Sequence, residues 1–83
     1  MDRDTQREIS NIVEYVHDEA TKEFANVRSP EPYETHVSSG DSHPDRVRLI
    51  GEGIRVGLRD YYRPERITVT VAESGYFIRI QRA

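Results

Sequence analysis

The fold is decided by residues 45–63, which read DRVRLIGEGIRVGLRDYYR and are compatible with two secondary structures. As a helix, the stretch gathers one apolar face, and a capping signal precedes it at residues 42–45. Oppositely charged residues also recur three and four positions apart, a spacing that stabilises helices. The apolar face of this helix would consist of Val47, Ile50, Ile54, Leu58, Tyr61 and Tyr62.

As a β-hairpin, the same stretch alternates on both sides of a turn at Gly51-Glu52, which would place Val47 opposite Val56. The glycines of the stretch count against the helix, because each costs about 1 kcal/mol relative to alanine in a helix interior. The capping signal and the charge spacing count against the hairpin, because only a helix explains them. We therefore predict a helix that leaves Leu49 and Val56 on its polar side.

The chain before this stretch predicts an amphipathic helix and then a connection with one short strand. A capping-box pattern starts the helix at Thr5, and Pro30 ends it near Val27. The connection, residues 28–45, is rich in proline and serine. Within it, three residues alternate with polar ones as in a half-exposed strand: Tyr33, Thr35 and Val37. The apolar face of the helix consists of Ile9, Ile12, Val13, Val16, Ala20, Phe24 and Val27.

The end of the chain predicts a β-hairpin with a turn at Ser74-Gly75. This turn sets a register in which Val71 pairs with Ile78. We expect its last strand, ending at residues 78–81, to lie at an edge of the sheet, with Phe77 exposed beside Ala72. One face of the hairpin is apolar and belongs to the core. Its residues are Ile67, Val69, Val71, Tyr76, Ile78 and Ile80.

These elements predict a single small α+β domain over residues 1–83, with two helices packed on one face of a two- to three-stranded sheet in the order α-β-α-β-β. If the first strand pairs beside residues 67–72, the intervening helix makes a right-handed crossover. The alternative is one N-terminal helix on an antiparallel β-meander. No internal repeat is visible.

Composition excludes several classes of protein. The 83 residues are 35% apolar and 33% charged, so the core is thin and association would extend it. The absence of cysteine excludes disulfides, zinc-thiolate sites and thiol nucleophiles. We find no signal peptide and no apolar run long enough to span a membrane, so we expect a cytoplasmic protein without membrane contact.

No residue pattern indicates catalysis, and we expect no enzyme activity, cofactor, metal or small-molecule substrate. The histidines, His17, His36 and His43, lack the spacing of a metal site. A nucleophilic set drawn from Ser38, Ser39, Asp41 and His43 lacks an elbow motif. The segment Gly51 to Gly57 does not meet the pattern of a phosphate-binding loop. Gly53 and Gly57, one helical turn apart, instead favour close approach of another element.

The remaining hypotheses are two kinds of binding. The first is association, with itself or with another protein, through Tyr61, Tyr62, Tyr76, Phe77 and Ile80. The second is nucleic-acid binding through an arginine stripe on the second helix, since residues 44–83 hold eight arginines against five acids. A pI of about 5.6 counts against strong nonspecific nucleic-acid binding. The stripe and its extension comprise Arg48, Arg55, Arg59, Arg63, Arg66 and Arg79.

Overall fold

A computed structural model of the chain describes residues 2–26, 31–40 and 43–81. The predicted order α-β-α-β-β is confirmed. Most of the ambiguous stretch, residues 45–63, forms a helix, so the β-meander alternative is wrong. The helix prevails because its apolar face packs on the sheet. The elements are α1 (Arg3–Asn26), β1 (Tyr33–Ser38), α2 (Pro44–Leu58), a 3₁₀ turn (Pro64–Arg66), β2 (Ile67–Ala72) and β3 (Gly75–Ile80).

The three strands form one antiparallel sheet in the order β1-β3-β2. The prediction that the last strand lies at an edge is wrong, because β3 pairs with β1 on one side and with β2 on the other. We predicted a right-handed crossover if β1 paired directly with β2. The two strands do not pair, since β3 lies between them. Both edges of the sheet therefore belong to strands that run in the same direction.

The β2–β3 hairpin has the predicted faces but a different register. Ala72 lies opposite Gly75 and Val71 opposite Tyr76, so the two-residue turn is Glu73-Ser74. The predicted register was displaced by two residues, which leaves every side chain on its predicted face. Phe77 consequently lies opposite Thr70 rather than beside Ala72.

Gly75 belongs to the start of β3 for a physical reason. Its φ of 143° is a backbone conformation that residues with a side chain rarely adopt. A Cβ atom at this position would also lie 2.2 Å from the carbonyl oxygen of Val37 in β1. The absence of a side chain therefore allows β1 to approach the central strand.

The helix starts differ from the predicted caps. In α1, the backbone amide of Thr5 donates a 2.7 Å hydrogen bond to the carboxylate of Asp2, which lowers the pKa of that carboxyl. Asp2 is thus the cap, and Thr5 is a buried residue of the first turn. In α2, His43 precedes the helix without a side-chain cap, and Pro44 takes the first helical position. Residues 27–30, 41 and 42, where other predicted boundary signals fall, lie outside the described residues.

Both helices pack on the same face of the sheet, which we call the inner face. The two helices run parallel, because the side chain of Ile9 packs against Gly53 and, one turn later in both helices, the side chain of Val13 packs against Gly57. This confirms that the two glycines allow close approach of another element. The buried core unites both helices with β2 and β3. Its residues are Ile12, Val13, Val16, Ala20, Val47, Ile50, Ile54, Leu58, Ile67, Tyr76, Ile78 and Ile80.

Candidate functional site: the open edge of strand β2

Two of the residues expected at a protein interface lie in the core. Tyr76 and Ile80 are 0% exposed on the inner face of the sheet, so neither side chain lies at the surface of the fold. The alternation of β3 is regular, and both residues share the face that the helices cover. The other two tyrosines of that set, Tyr61 and Tyr62, follow the end of α2. Tyr61 is 52% exposed and stacks on His17 with 3.9 Å between ring centroids, whereas Tyr62 is half-buried and meets Phe24 edge-on.

Phe77 lies on the opposite, outer face of the sheet, away from α1 and α2. It is 49% exposed and its ring centroid lies 4.5 Å from that of His36 in β1. The imidazole of His36 also lies 3.3 Å, Nε2 to Oγ, from the hydroxyl of Ser74. One residue row away, Arg79 and Glu34 form an ion pair at 3.6 Å. The outer face is therefore polar, with the phenyl ring of Phe77 and the imidazole of His36 in contact near its centre.

The six arginines of the nucleic-acid hypothesis do not form one surface. Arg79 lies on the outer face and α2 lies on the inner face, so the sheet separates Arg79 from the helix arginines. On α2, Arg48 pairs with Asp45 at 2.5 Å and Arg55 pairs with Glu52. The hydrogen bond from Arg55 lowers the pKa of the Glu52 carboxyl. Alternating charge rather than a basic stripe characterises this helix. The remaining members are Arg59 and Arg63, both exposed, and Arg66, half-exposed.

The histidines and carboxylates do not converge. Within the described residues, no group of three histidines or carboxylates could hold a metal ion. His17 lies on α1, His36 on β1 and His43 before α2. Asp41 lies outside the described residues, so the set with Ser38, Ser39 and His43 is not placed. In the same described ranges, no helix combines the length and apolarity needed to cross a bilayer.

The two edges of the sheet can be distinguished by the directions of their backbone groups. In an antiparallel pair, hydrogen-bonded residue pairs alternate with non-bonded pairs. The amide of Gln81 donates a 2.7 Å hydrogen bond to the carbonyl of Arg66, immediately before β2. Every second residue after Arg66 therefore bonds to β3. The residues between them, Ile67, Val69 and Val71, direct their amide and carbonyl groups away from the sheet; we call this set the β2 edge.

The same reasoning defines the other edge. The amide of Ser39 donates a 3.2 Å hydrogen bond to the carbonyl of Ser74, so residues of β1 with odd numbers bond to β3. The residues that direct their backbone groups outward are then Glu34, His36 and Ser38, which we call the β1 edge. Both assignments agree with each other, because each residue of β3 bonds to only one neighbouring strand.

The chemical character of the two edges is opposite. β1 includes Glu34 and His36, and Pro32 lies directly before it. β2 reads ITVTVA and contains no charged residue, proline or glycine. Proteins ordinarily protect exposed edge strands with charges, proline or bulges, because unpaired backbone groups recruit other strands. Within the strands themselves, β1 carries a carboxylate and an imidazole, whereas β2 carries no charged side chain.

Helix α2 lies next to the β2 edge. A Cβ atom on Gly51 would lie 2.5 Å from Cγ2 of Val71, so the helix backbone closely approaches this strand. Val71 is nevertheless 37% exposed and Val69 is half-buried. The pair Glu52–Arg55 lies within one turn of Gly51 on the exposed side of the helix. The edge thus combines open backbone groups, incompletely covered valines and a helix flank with both charges.

Sequence reasoning missed the β2 edge because it placed β3, not β2, at the border of the sheet. The uncharged run at 67–72, in which five of the six residues are β-forming, is typical of segments that pair with other strands, but it indicates a site only once β2 is known to be an edge strand. Comparison of the chain with models of protein families, with curated proteins and with solved structures finds no match.

Proposed function

We propose that the protein is a non-enzymatic interaction module that associates with another protein chain by adding a β-strand to the β2 edge. The observation that carries the proposal is the difference between the two edges of one sheet. β1 contains Glu34 and His36, whereas β2 contains only aliphatic and threonine side chains with alanine. Main-chain hydrogen bonds provide affinity in this mode of recognition, and alternate side chains provide specificity.

The energetics favour pairing at this edge. Each backbone hydrogen bond that replaces bonds to water contributes about 0.5–1.5 kcal/mol net. An added strand would also cover the exposed parts of Val69 and Val71, at about 25 cal/mol per Å² of apolar surface. At the β1 edge, the same event would remove Glu34 and His36 from water, which costs free energy unless each gains a partner.

A peptide that copies residues 64–73 tests the proposal directly. This segment contains β2 with charged residues on both sides, which favour solubility, and it lacks the rest of the fold. We expect the labelled peptide to bind the protein in a fluorescence anisotropy titration. Val69→Lys places a charge on the inner face of the edge and should weaken binding at least about tenfold, that is, by about 1.4 kcal/mol.

The matched control is Ser38→Lys, which adds the same charge to the other edge strand. Ser38 is exposed in β1, which β3 separates from β2, so its substitution leaves the β2 edge unchanged. Circular dichroism establishes that both variants are folded. Absence of peptide binding at protein concentrations where the unmodified chain sediments as a monomer, or equal loss in the two variants, would show that the β2 edge is not the binding surface.

A further inference from the structure

We infer that the strand added to the β2 edge comes from a second copy of this chain, which gives a two-fold dimer with a continuous six-stranded sheet. This inference rests on the proposed function and identifies its partner. The dimer would have the strand order β1-β3-β2-β2-β3-β1, so that the protected β1 edges become its borders. Closed two-fold pairing leaves no uncharged edge exposed.

The side chains of two copies match across a two-fold axis at the β2 edge. A two-fold axis perpendicular to the sheet keeps both inner faces on the same side, so an inner-face residue must lie opposite another inner-face residue. Ile67, Val69 and Val71 are all inner-face residues and all direct their backbone groups outward. A pairing centred on Val69 places Ile67 opposite Val71 of the second copy and uses the outward groups of all three residues.

The charges on the exposed side of α2 are compatible with self-pairing. In a two-fold dimer each surface meets itself, so a flank with one sign of charge would repel its copy. The exposed side of α2 instead alternates acids with arginines in the ion pairs Asp45–Arg48 and Glu52–Arg55. Two such helices related by the axis run antiparallel and can exchange these pairs. The flank is thus complementary to itself.

The position of α2 increases the surface area that the dimer would bury. Stable protein interfaces bury roughly 1,200–2,000 Å² in total, more than the pairing of two short strands supplies. Gly51 holds α2 against Val71 at the border of the sheet. The two copies of α2 would therefore lie beside one another over the paired strands, where they extend the contact. The dimer also enlarges a core that has only 12 buried apolar residues among those described.

Sedimentation equilibrium provides the first test. We expect the 9.7 kDa chain to double in mass, and the dimer to persist at high salt because main-chain bonds and apolar contacts dominate it. Val69→Lys should return the mass to that of the monomer, whereas Ser38→Lys, on the other edge strand, should not. A dimer that persists in Val69→Lys would place the contact elsewhere and overturn the inferred dimer.

Single cysteine variants test the register, since the natural chain has no cysteine. With Val69 on the axis, Thr68 lies opposite Thr70 of the second copy in a non-bonded pair, with about 4.5 Å between Cα atoms. That separation suits a disulfide. A mixture of Thr68→Cys and Thr70→Cys proteins should therefore give disulfide-linked dimers on mild oxidation, predominantly of the mixed species. Linkage by Thr70→Cys alone, or none in any sample, would overturn the inferred dimer.

The peptide experiment separates the failure of this inference from the failure of the proposed function. A chain that stays monomeric at all concentrations while its β2 edge binds the 64–73 peptide would overturn the second copy as partner and leave edge addition intact. A monomer that also fails to bind the peptide would overturn both. A mass increase that occurs only with a mixed-sequence oligonucleotide would overturn the inference in favour of nucleic-acid binding.

Discussion

The outer strands β1 and β2 have the same length, the same direction and the same neighbour, yet they differ in what they offer to another chain. Each pairs with β3 over six residues. The residues of β1 that direct backbone groups outward include Glu34 and His36, whereas those of β2 are Ile67, Val69 and Val71. Edge chemistry is therefore determined by two patterns together: the alternation of side chains and the alternation of hydrogen bonds.

Under the proposed function, this difference gives one sheet a protected edge and a receptive edge. Addition of a strand to β1 would desolvate a carboxylate and an imidazole. Addition to β2 would cover valines that the helices leave partly exposed. A single receptive edge limits assembly to a closed pair, whereas two would allow open-ended growth.

The largest expected effect comes from the residue that joins β1 to the sheet. We expect Gly75→Ala to destabilise the fold by at least about 3 kcal/mol, because alanine disfavours a φ of 143° and its Cβ would overlap the carbonyl of Val37. Urea denaturation measures the loss of unfolding free energy. Hydrogen exchange should show that amides of β1 lose more protection than those of β2, because β2 pairs with the opposite side of β3.

Gly40→Ala is the matched control for this substitution. Gly40 has no atom within 4 Å of an added Cβ and no positive φ, so its replacement should change stability by less than about 0.5 kcal/mol. Equal effects of the two substitutions would mean that Gly75 has no special part in admitting β1 to the sheet.

Much of this fold could be predicted from residue periodicity. The amphipathic face of α2 outweighed three glycines because two of them, Gly53 and Gly57, lie under Ile9 and Val13 rather than weakening an exposed helix. The faces of the hairpin were also predictable, since the alternation of valine and threonine in β2 has only one arrangement with an apolar inner side.

The strand order and the candidate site could not be predicted in the same way. The position of β1 depends on a long-range contact, the approach of Val37 to Gly75, which leaves no periodic signal in the sequence. An error in strand order then moved the expected edge to β3 and placed Tyr76 and Ile80 at an interface. The uncharged composition of β2 becomes informative only when its position at the border is known.

The second prediction converts the protected edge into a receptive one. In the double variant Glu34→Thr with His36→Thr, β1 loses its carboxylate and its imidazole. If the β2 edges already pair, new pairing at β1 should produce species larger than the dimer that grow with concentration in sedimentation velocity. Glu73→Thr, in the β2–β3 turn, removes one of the same charges and should remain a dimer. An unchanged dimer in the double variant would show that these side chains do not protect the β1 edge.

The smallest expected effect is that of Glu34 on the stability of the fold, as distinct from its effect on pairing at the β1 edge. Glu34 and Arg79 are both more than half exposed and 3.6 Å apart, and exposed ion pairs of this kind contribute roughly 0–1 kcal/mol. Glu34→Thr alone should therefore change the unfolding free energy by less than about 1 kcal/mol, because threonine suits a strand and compensates for the lost pair. Urea denaturation at low and high salt measures this change. A larger, salt-sensitive loss would assign the carboxylate a structural part in the sheet, whereas a small one agrees with an acid whose effect is to keep other strands away from β1.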